Sequence, residues 1–198
     1  MLQKCSKFLC LASCFLLLIA CGSAPKKPVI IIDKTAPTEK LVLSETQKAD
    51  FQKALGFMAE ENFGGAESIF LSLIKQQPAL TGAYVNLGTI KKRERDIDKA
   101  EDYFQKALDI NPNFIDALLQ QALVLQDKGE FTQAEELLRR AEAIHADHPL
   151  VNYNLGVLYE LYLQEYSLAI QYYKRYVALS DADDVETVKR WIILLERK

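Results

Sequence analysis

The sequence predicts an all-α protein made of about four helix–turn–helix units in series, closed by one further helix. The first observation is a period: the small residues Ala54, Gly88, Ala122 and Gly156 recur every 34 positions. In a second set, a small residue is followed four positions later by a bulky one, also once per unit. Helices approach closely where Gly or Ala on one meets a large side chain on the other. A period of this length is the signature of a stacked helical repeat array.

The second set lies on the second helix of each unit. Its small residues are Ala66, Ala100, Ala134 and Ala169, and its bulky residues are Phe70, Phe104, Leu138 and Tyr173. The fourth pair arrives one residue late, so we place one extra residue in the inter-helix turn of the last unit, around 161–166. We predict helix pairs near 45–78, 81–112, 114–146 and 149–180.

The second unit carries the most complete motif. Within residues 81–112 stand Tyr84, Leu87, Gly88, Ala100, Phe104, Ala107 and Pro112. These types at these intervals resemble the tetratricopeptide repeat (TPR), a helix–turn–helix unit of 34 residues. The resemblance implies a solenoid of about four repeats over residues 45–182, with a concave face lined by the first helix of each repeat. Residues 183–198 are then expected to form a capping helix, with Val185, Val188, Ile192 and Leu195 on its buried face.

The chain departs from the family pattern at several positions. Asp50 and Asn152 stand where the family pattern has an aromatic residue early in the first helix. Lys53 and Gln121 replace a leucine of the pattern, and Lys91 replaces a tyrosine. Only Gly129 supplies the glycine expected between the two helices, and Glu61, Arg95 and Leu163 stand there in the other units.

Helix starts are predicted from capping boxes, in which two side chains satisfy free backbone donors. Ser44–Gln47, Asp98–Glu101 and Thr132–Glu135 fit that pattern, and Asn113–Asp116 is a related arrangement.

Residues 1–20 are predicted to be a secretory signal. Lys4 and Lys7 precede the apolar run 8–20, which is too short to cross a bilayer as a stable helix. The run ends in Leu-Ile-Ala before Cys21, which resembles the bacterial lipobox, where the cysteine thiol is acylated and becomes the first residue. The alternative is an ordinary signal peptide with a chance cysteine near its end.

Cysteine usage agrees with acylation of Cys21. All four cysteines lie at or before position 21, so the processed chain would have no free thiol and no disulfide. Two or more acyl chains on one residue give stable membrane anchoring. In lipoproteins of the enterobacterial type, Gly22 suggests the outer membrane, so we expect a lipid-anchored protein on its periplasmic face.

Residues 21–44 are predicted to be a flexible tether, interrupted by prolines and solvated by lysines. Its apolar run Val29–Ile32 is either a strip lying on the first helices or a strand donated to a partner's sheet.

The resemblance implies a protein or peptide partner bound in the concave groove. The residues at the corresponding places are Phe51, Leu55, Val85, Thr89, Leu119, Leu123, Tyr153, Val157 and Leu161. Val85 and Leu119 are expected to project toward the inner curve. The competing interpretation is that this stripe only packs within the array. Tyr162 and Tyr166, which flank the irregular turn and are expected to project freely, form a second candidate contact surface.

Catalytic and cofactor motifs are missing from the sequence, so we expect no enzyme and no cofactor. The net charge is −3 without a basic stripe, which argues against a nucleic-acid partner. His145 and His148 lie close to Asp147 in the sequence. Either the two imidazoles and the carboxylate bind zinc, or Asp147 caps the next helix and the histidines are solvated.

The expected function is therefore that of a non-enzymatic TPR scaffold anchored by lipid. The chain is similar to the small TPR lipoproteins of envelope machines, namely the pilotins of type IV pilus secretins and the lipoproteins of tight-adherence pili. An adaptor that regulates peptidoglycan hydrolases is the alternative, and a metal- or ligand-binding module is the third possibility.

Overall fold

The computed structural model describes residues 41–197, which fold into nine α-helices and one π-helical segment. The helices are α1 (Glu45–Ala59), α2 (Phe63–Gln76), α3 (Thr81–Arg93), α4 (Ile97–Ile110), α5 (Ile115–Asp127), α6 (Phe131–Ile144), α7 (Pro149–Val157), α8 (Tyr166–Leu179) and α9 (Val185–Leu195), with the π-helical segment Leu158–Tyr162 after α7. The predicted fold class is confirmed: four helix–turn–helix repeats are followed by a C-terminal helix. The predicted signal, Cys21 and the Val29–Ile32 run lie outside the described residues.

Close packing inside each repeat explains the recurring small residues. A Cβ atom added at Gly88 would lie 2.4 Å from Cε1 of Phe104, whose side chain is fully buried. In the fourth repeat, a Cβ at Gly156 would lie 2.6 Å from Cδ1 of Tyr173. The glycine therefore lets an aromatic ring of the second helix rest on the backbone of the first.

The turn between the two helices has the same backbone conformation in all four repeats. Glu61, Arg95, Gly129 and Gln164 have φ angles of 58°, 66°, 80° and 57°. This left-handed region is uncommon for residues other than glycine, so three of the turns hold a conformation that glycine would adopt more readily. In the fourth repeat the left-handed residue is Gln164, not Leu163 as the sequence suggested.

The extra residue of the last repeat lies in the first helix, not in the turn alone. In the first three repeats, the backbone N–H that closes the turn donates to the carbonyl five residues earlier. In the third repeat, for example, the N–H of Glu130 donates to the carbonyl of Leu125. In the fourth, the N–H of Glu165 bonds the carbonyl of Tyr159, six residues earlier. A π-helical segment absorbs one residue by widening a helical turn. The predicted insertion point around 161–166 is corrected to begin at Leu158.

Capping explains only part of the helix starts. Ser44 and Gln47 form the predicted capping box. The predicted boxes at Asp98–Glu101 and Thr132–Glu135 are wrong, because α4 is capped by Asp96 and α6 begins after Glu130 without a side-chain cap. In every repeat the N-cap of the second helix directly follows the left-handed turn residue, so the turn fixes where that helix begins.

Two first helices also begin differently from the prediction. Phe114 is the N-cap of α5, so Asn113–Asp116 does not cap it. His148 is the N-cap of α7, so Asp147 does not cap that helix.

The last helix covers the end of the array. Val188, Ile192 and Leu195 of α9 are buried, as predicted. Trp191 lies with its ring centroid 5.9 Å from that of Tyr173 and 6.4 Å from that of Tyr153. The fourth repeat is thus closed by apolar and aromatic contacts, which an array needs at its terminus.

Candidate protein-binding surface

The nine predicted groove residues lie where the repeat pattern places them, on the first helix of each repeat. We call this set the first-helix stripe: Phe51 and Leu55 on α1, Val85 and Thr89 on α3, Leu119 and Leu123 on α5, Tyr153 and Val157 on α7, and Leu161 in the π-helical segment. Whether the stripe binds a partner stays a prediction, but its accessibility differs along its length.

The stripe is largely closed to solvent in the first three repeats. Val85 and Leu119 are 2% and 4% exposed and belong to one buried cluster that also contains Ile115. Phe51 and Leu55 are likewise buried. The expectation that Val85 and Leu119 project into an open groove is therefore wrong. The helices α3 and α5 contact each other, and Val85 and Leu119 are part of the buried core around them.

The stripe opens toward solvent at its C-terminal end. Leu123, Tyr153 and Val157 are half-buried, and Leu161 is 61% exposed. Tyr153, Val157 and Leu161 follow one another at intervals of four residues, so they lie along one side of the helix. Tyr153 is held by the edge of Tyr176, with the ring centroids 5.1 Å apart. The accessible apolar surface of the stripe is thus concentrated in the fourth repeat.

Polar groups flank the middle of the stripe. Nζ of Lys92 lies 3.5 Å from Oδ2 of Asp127, which links α3 to α5. Thr89 donates its hydroxyl to the carbonyl of Val85 over 2.8 Å, and Asn86 donates its amide to the carbonyl of Gly82 over 2.7 Å. These bonds turn the side-chain donors back onto α3, so they are already occupied in the free protein.

The tyrosine-rich end exposes one of the two side chains that the sequence predicted to project. The ring of Tyr162 stacks on Phe131 with the centroids 4.6 Å apart, and Tyr166 is partly buried against the core. Tyr162 is nevertheless 38% exposed, whereas Tyr166 does not project freely, and whether this second candidate surface binds a partner stays a prediction. Tyr173 is buried, as expected for the bulky residue of the fourth repeat, and Tyr159 is buried as well.

The histidine pair lies at the junction of the third and fourth repeats. The rings of His145 and His148 meet edge to face with centroids 5.6 Å apart. Burial, with the nearby His145 as a smaller cause, lowers the pKa of His148. Between residues 41 and 197 no group of three or more His, Cys, Asp or Glu side chains is arranged to hold a metal ion. The pair has no visible third ligand in that range.

Comparison with known sequences gives two matches to tetratricopeptide repeat families, over residues 82–114 and 119–184. The protein MJ0572 of Methanocaldococcus jannaschii is 34% identical over 71 residues, which are 35% of this chain and 83% of that protein. The chain belongs to the tetratricopeptide repeat family. The photosystem I assembly protein Ycf3 of Acaryochloris marina is 28% identical over 116 residues, which are 57% of this chain and 68% of that protein.

Solved structures show the same TPR fold. PilF of Pseudomonas aeruginosa is similar with a TM-score of 0.68 at 20% identity, over 77% of this chain and 70% of that one. TTC0263 of Thermus thermophilus gives a TM-score of 0.65 at 22% identity, over 76% of this chain and 82% of that one. At these identities the similarity concerns the fold. None of the helices in the described part of the TPR chain has the length and apolar character needed to span a membrane.

Proposed function

We propose that the chain is a lipid-anchored, non-enzymatic TPR scaffold on the periplasmic face of the outer membrane, which binds a protein partner through the open end of the first-helix stripe. The single observation that carries this proposal is the exposure of Leu161, at 61%, in line with Tyr153 and Val157. The buried core of the fourth repeat does not need this leucine, and an exposed apolar side chain beside others is typical of an interface.

The pathway we propose is assembly of an envelope machine such as a pilus or a secretin. The fold shared with PilF supports this choice, as does the sequence similarity to a protein named for photosystem I assembly. TPR arrays present extended surfaces to protein partners, which suits a scaffold. The membrane part of the proposal depends on the lipobox-like sequence that ends at Cys21.

The partner surface is tested by placing lysine at Val157 and Leu161 together. Removing two apolar contacts of about 1.5–3 kcal/mol each, and leaving charges in the interface, should weaken the complex by about a hundredfold or more. The measurement is recovery of the partner with the tagged chain from detergent-solubilised native membranes. The matched control is Leu71→Lys, because Leu71 is an exposed leucine on the second helix of the first repeat.

Circular dichroism should show native helical content for both lysine variants. Loss of the partner in the double variant but not in Leu71→Lys is the expected outcome. Equal recovery of the partner by the double variant and the wild-type chain would contradict the proposed surface.

Membrane anchoring is tested by Cys21→Ser. Without the thiol no acyl chain can be attached, so the protein should stay unprocessed or appear in the soluble periplasmic fraction. Mass spectrometry of the wild-type protein should find an acylated Cys21 as the first residue. An unmodified Cys21 or an intact Met1 in the native protein would remove the anchoring part of the proposal.

A further inference from the structure

The junction between the third and fourth repeats is polar where the earlier junctions are apolar. We call residues 145–152 the third–fourth junction. Leu80, Phe114 and His148 stand 34 residues apart and are the N-caps of α3, α5 and α7. Leu80 and Phe114 are 8% and 3% exposed. His148, which is half-buried, therefore takes a position at which the two preceding repeats bury an apolar side chain.

Asn152 is the second polar residue of this junction and lies one turn after His148. The same position is Leu118 in the third repeat, and both side chains are completely buried. The amide nitrogen of Asn152 donates to the carbonyls of Ala146 and His148 over 2.8 and 3.0 Å. This side chain therefore ties the loop before α7 to the first turn of that helix.

Each of these two side chains carries a buried atom that has no hydrogen-bond partner among the described residues. The atoms are Nδ1 of His148 and Oδ1 of Asn152. An imidazolium donates from both ring nitrogens, whichever tautomer the neutral ring adopts. A protonated His148 would therefore hold an N–H in a buried position where no acceptor receives it, which costs free energy.

Two further features of the junction oppose a positive charge on His148. The ring of His145 meets that of His148 edge to face, with the centroids 5.6 Å apart, so two cations would stand side by side if both rings took a proton. His148 also lies at the N-terminus of α7, where the helix dipole disfavours cations.

The charged groups of the adjoining elements do not offset these effects. α7 packs against α6 and α8, and its start lies level with the end of α8 because the two helices are antiparallel. The charged or titratable side chains there are Asp147 in the loop, Arg139, Arg140 and Glu142 near the end of α6, Arg175 and Tyr176 near the end of α8, and Asp181, Asp183 and Asp184 after it. Glu142 pairs with Arg175 at 2.9 Å, and Asp184 accepts the hydroxyl of Tyr176.

The pKa of His148 follows from these surroundings. Burial lowers it, His145 lowers it further, and no carboxylate in the described part of the chain raises it. Because this pKa is lower in the folded chain than in the unfolded one, the unfolded chain binds the proton first as the pH falls. The neutral ring therefore leaves stability intact above about pH 6.5, and stability is lost as the pH falls below that value.

We propose that the third–fourth junction is a pH-sensitive joint, at which protonation of His148 loosens α7 from the end of α6. The carbonyl of His148 accepts the N–H groups of Val151 and Asn152 at the start of α7, and it also accepts the Asn152 amide. A charged ring that moves toward solvent therefore disturbs the first turn of α7 and the bond that ties the loop to it.

The joint concerns the array itself and needs no partner protein. Tyr153 and Val157 of the first-helix stripe lie on α7. Acidic medium would therefore also weaken the contact of a partner with the open end of the stripe, and this consequence alone rests on the proposed function. The experiments below contain no partner, so their failure is distinct from a failure of the proposed function.

The first test compares urea unfolding of the full chain in detergent micelles at pH 7.5 and pH 5.5. Fluorescence of Trp191, the single tryptophan, reports on the fourth repeat because this side chain lies against Tyr153 and Tyr173. His148→Phe restores the residue of the third repeat and cannot titrate. Acidification should raise the unfolding constant of the wild-type chain by a factor about five times larger than that of His148→Phe.

His145→Gln is the matched control, because it removes the other histidine of the same loop and leaves His148 in place. This variant should keep most of the wild-type response to acidification. An equal response of the wild-type chain and His148→Phe, or loss of the whole response in His145→Gln, would overturn the assignment to His148.

A second measurement needs no substitution at His148. The chain has two histidines, so an NMR titration gives two sets of ring signals, and His145→Gln identifies those of His148. The expected midpoint for His148 is below pH 6.5. If Oδ1 of Asn152 turned to accept the new N–H, the charged ring would be stabilised instead. A midpoint at or above pH 6.5 would show this and overturn the proposal.

Hydrogen exchange locates the loosening. At pH 5.5 the amides of α7 should exchange faster in the wild-type chain than in His148→Phe, whereas those of α3 should exchange alike in both. Equal exchange of α7 in the two proteins would mean that the proton does not act on this helix, and the proposed joint would be wrong.

Discussion

Replacing Gly88 with alanine is expected to lower the free energy of unfolding, although alanine is the better helix former. The new methyl group would lie 2.4 Å from Cε1 of Phe104, whose ring is fully buried and would have to shift within the core. Overpacking of this kind costs about 1–3 kcal/mol. The gain in helix propensity returns only about 0.5–1 kcal/mol.

Gly56→Ala is the matched control for this prediction. Gly56 lies in α1, and a Cβ atom there would have no neighbouring heavy atom within 4 Å. The same substitution should therefore raise the free energy of unfolding by about 0.5–1 kcal/mol. Urea unfolding of both variants measures the difference. A Gly88→Ala protein as stable as Gly56→Ala would contradict the close contact between α3 and α4.

Lysine at both Val85 and Leu119 is expected to unfold the middle of the array, not merely to block binding. Each substitution removes an apolar side chain worth about 1.5–3 kcal/mol and places an amine where the native side chain is 2–4% exposed. The desolvation of two unpaired charges adds further cost. The total reaches about 5 kcal/mol or more, which is comparable with the whole stability of a domain.

The double variant Val157→Lys with Leu161→Lys is the control. Val157 is half-buried and Leu161 is exposed, so both positions should tolerate lysine. Thermal unfolding followed by circular dichroism compares the two proteins. A native melting transition in the Val85 and Leu119 variant would mean that these residues face solvent. That result would restore the expectation of a long open groove.

The repeat period was visible in the sequence because close packing restricts residue size at fixed intervals. Gly88 against Phe104 and Gly156 against Tyr173 are the contacts that impose it. The helix pairs follow from the same period, and the structure agrees with them. The face of the last helix was predicted from helical spacing, and there Val188, Ile192 and Leu195 are buried whereas Val185 is half-buried.

Other features depend on packing that a period does not encode. The burial of Val85 and Leu119 depends on how α3 and α5 pack in the array, whereas the pattern only places them on one face. The left-handed conformation at Glu61 and Arg95 has no signal in residue type and is indicated only by their 34-residue spacing from Gly129. Gln121 was visible as a departure from a leucine position, but its bond to Glu101 depends on tertiary packing.

We expect a partner protein to contact the open end of the first-helix stripe. The most direct measurement is crosslinking from a photoreactive amino acid at position 161 in native membranes, with position 71 as the control. A discrete adduct from position 161 and none from position 71 is predicted. Mass spectrometry of that adduct should identify a pilus or secretin component, whereas a peptidoglycan hydrolase would favour the adaptor role. Adducts from position 71 without any from position 161 would contradict the account.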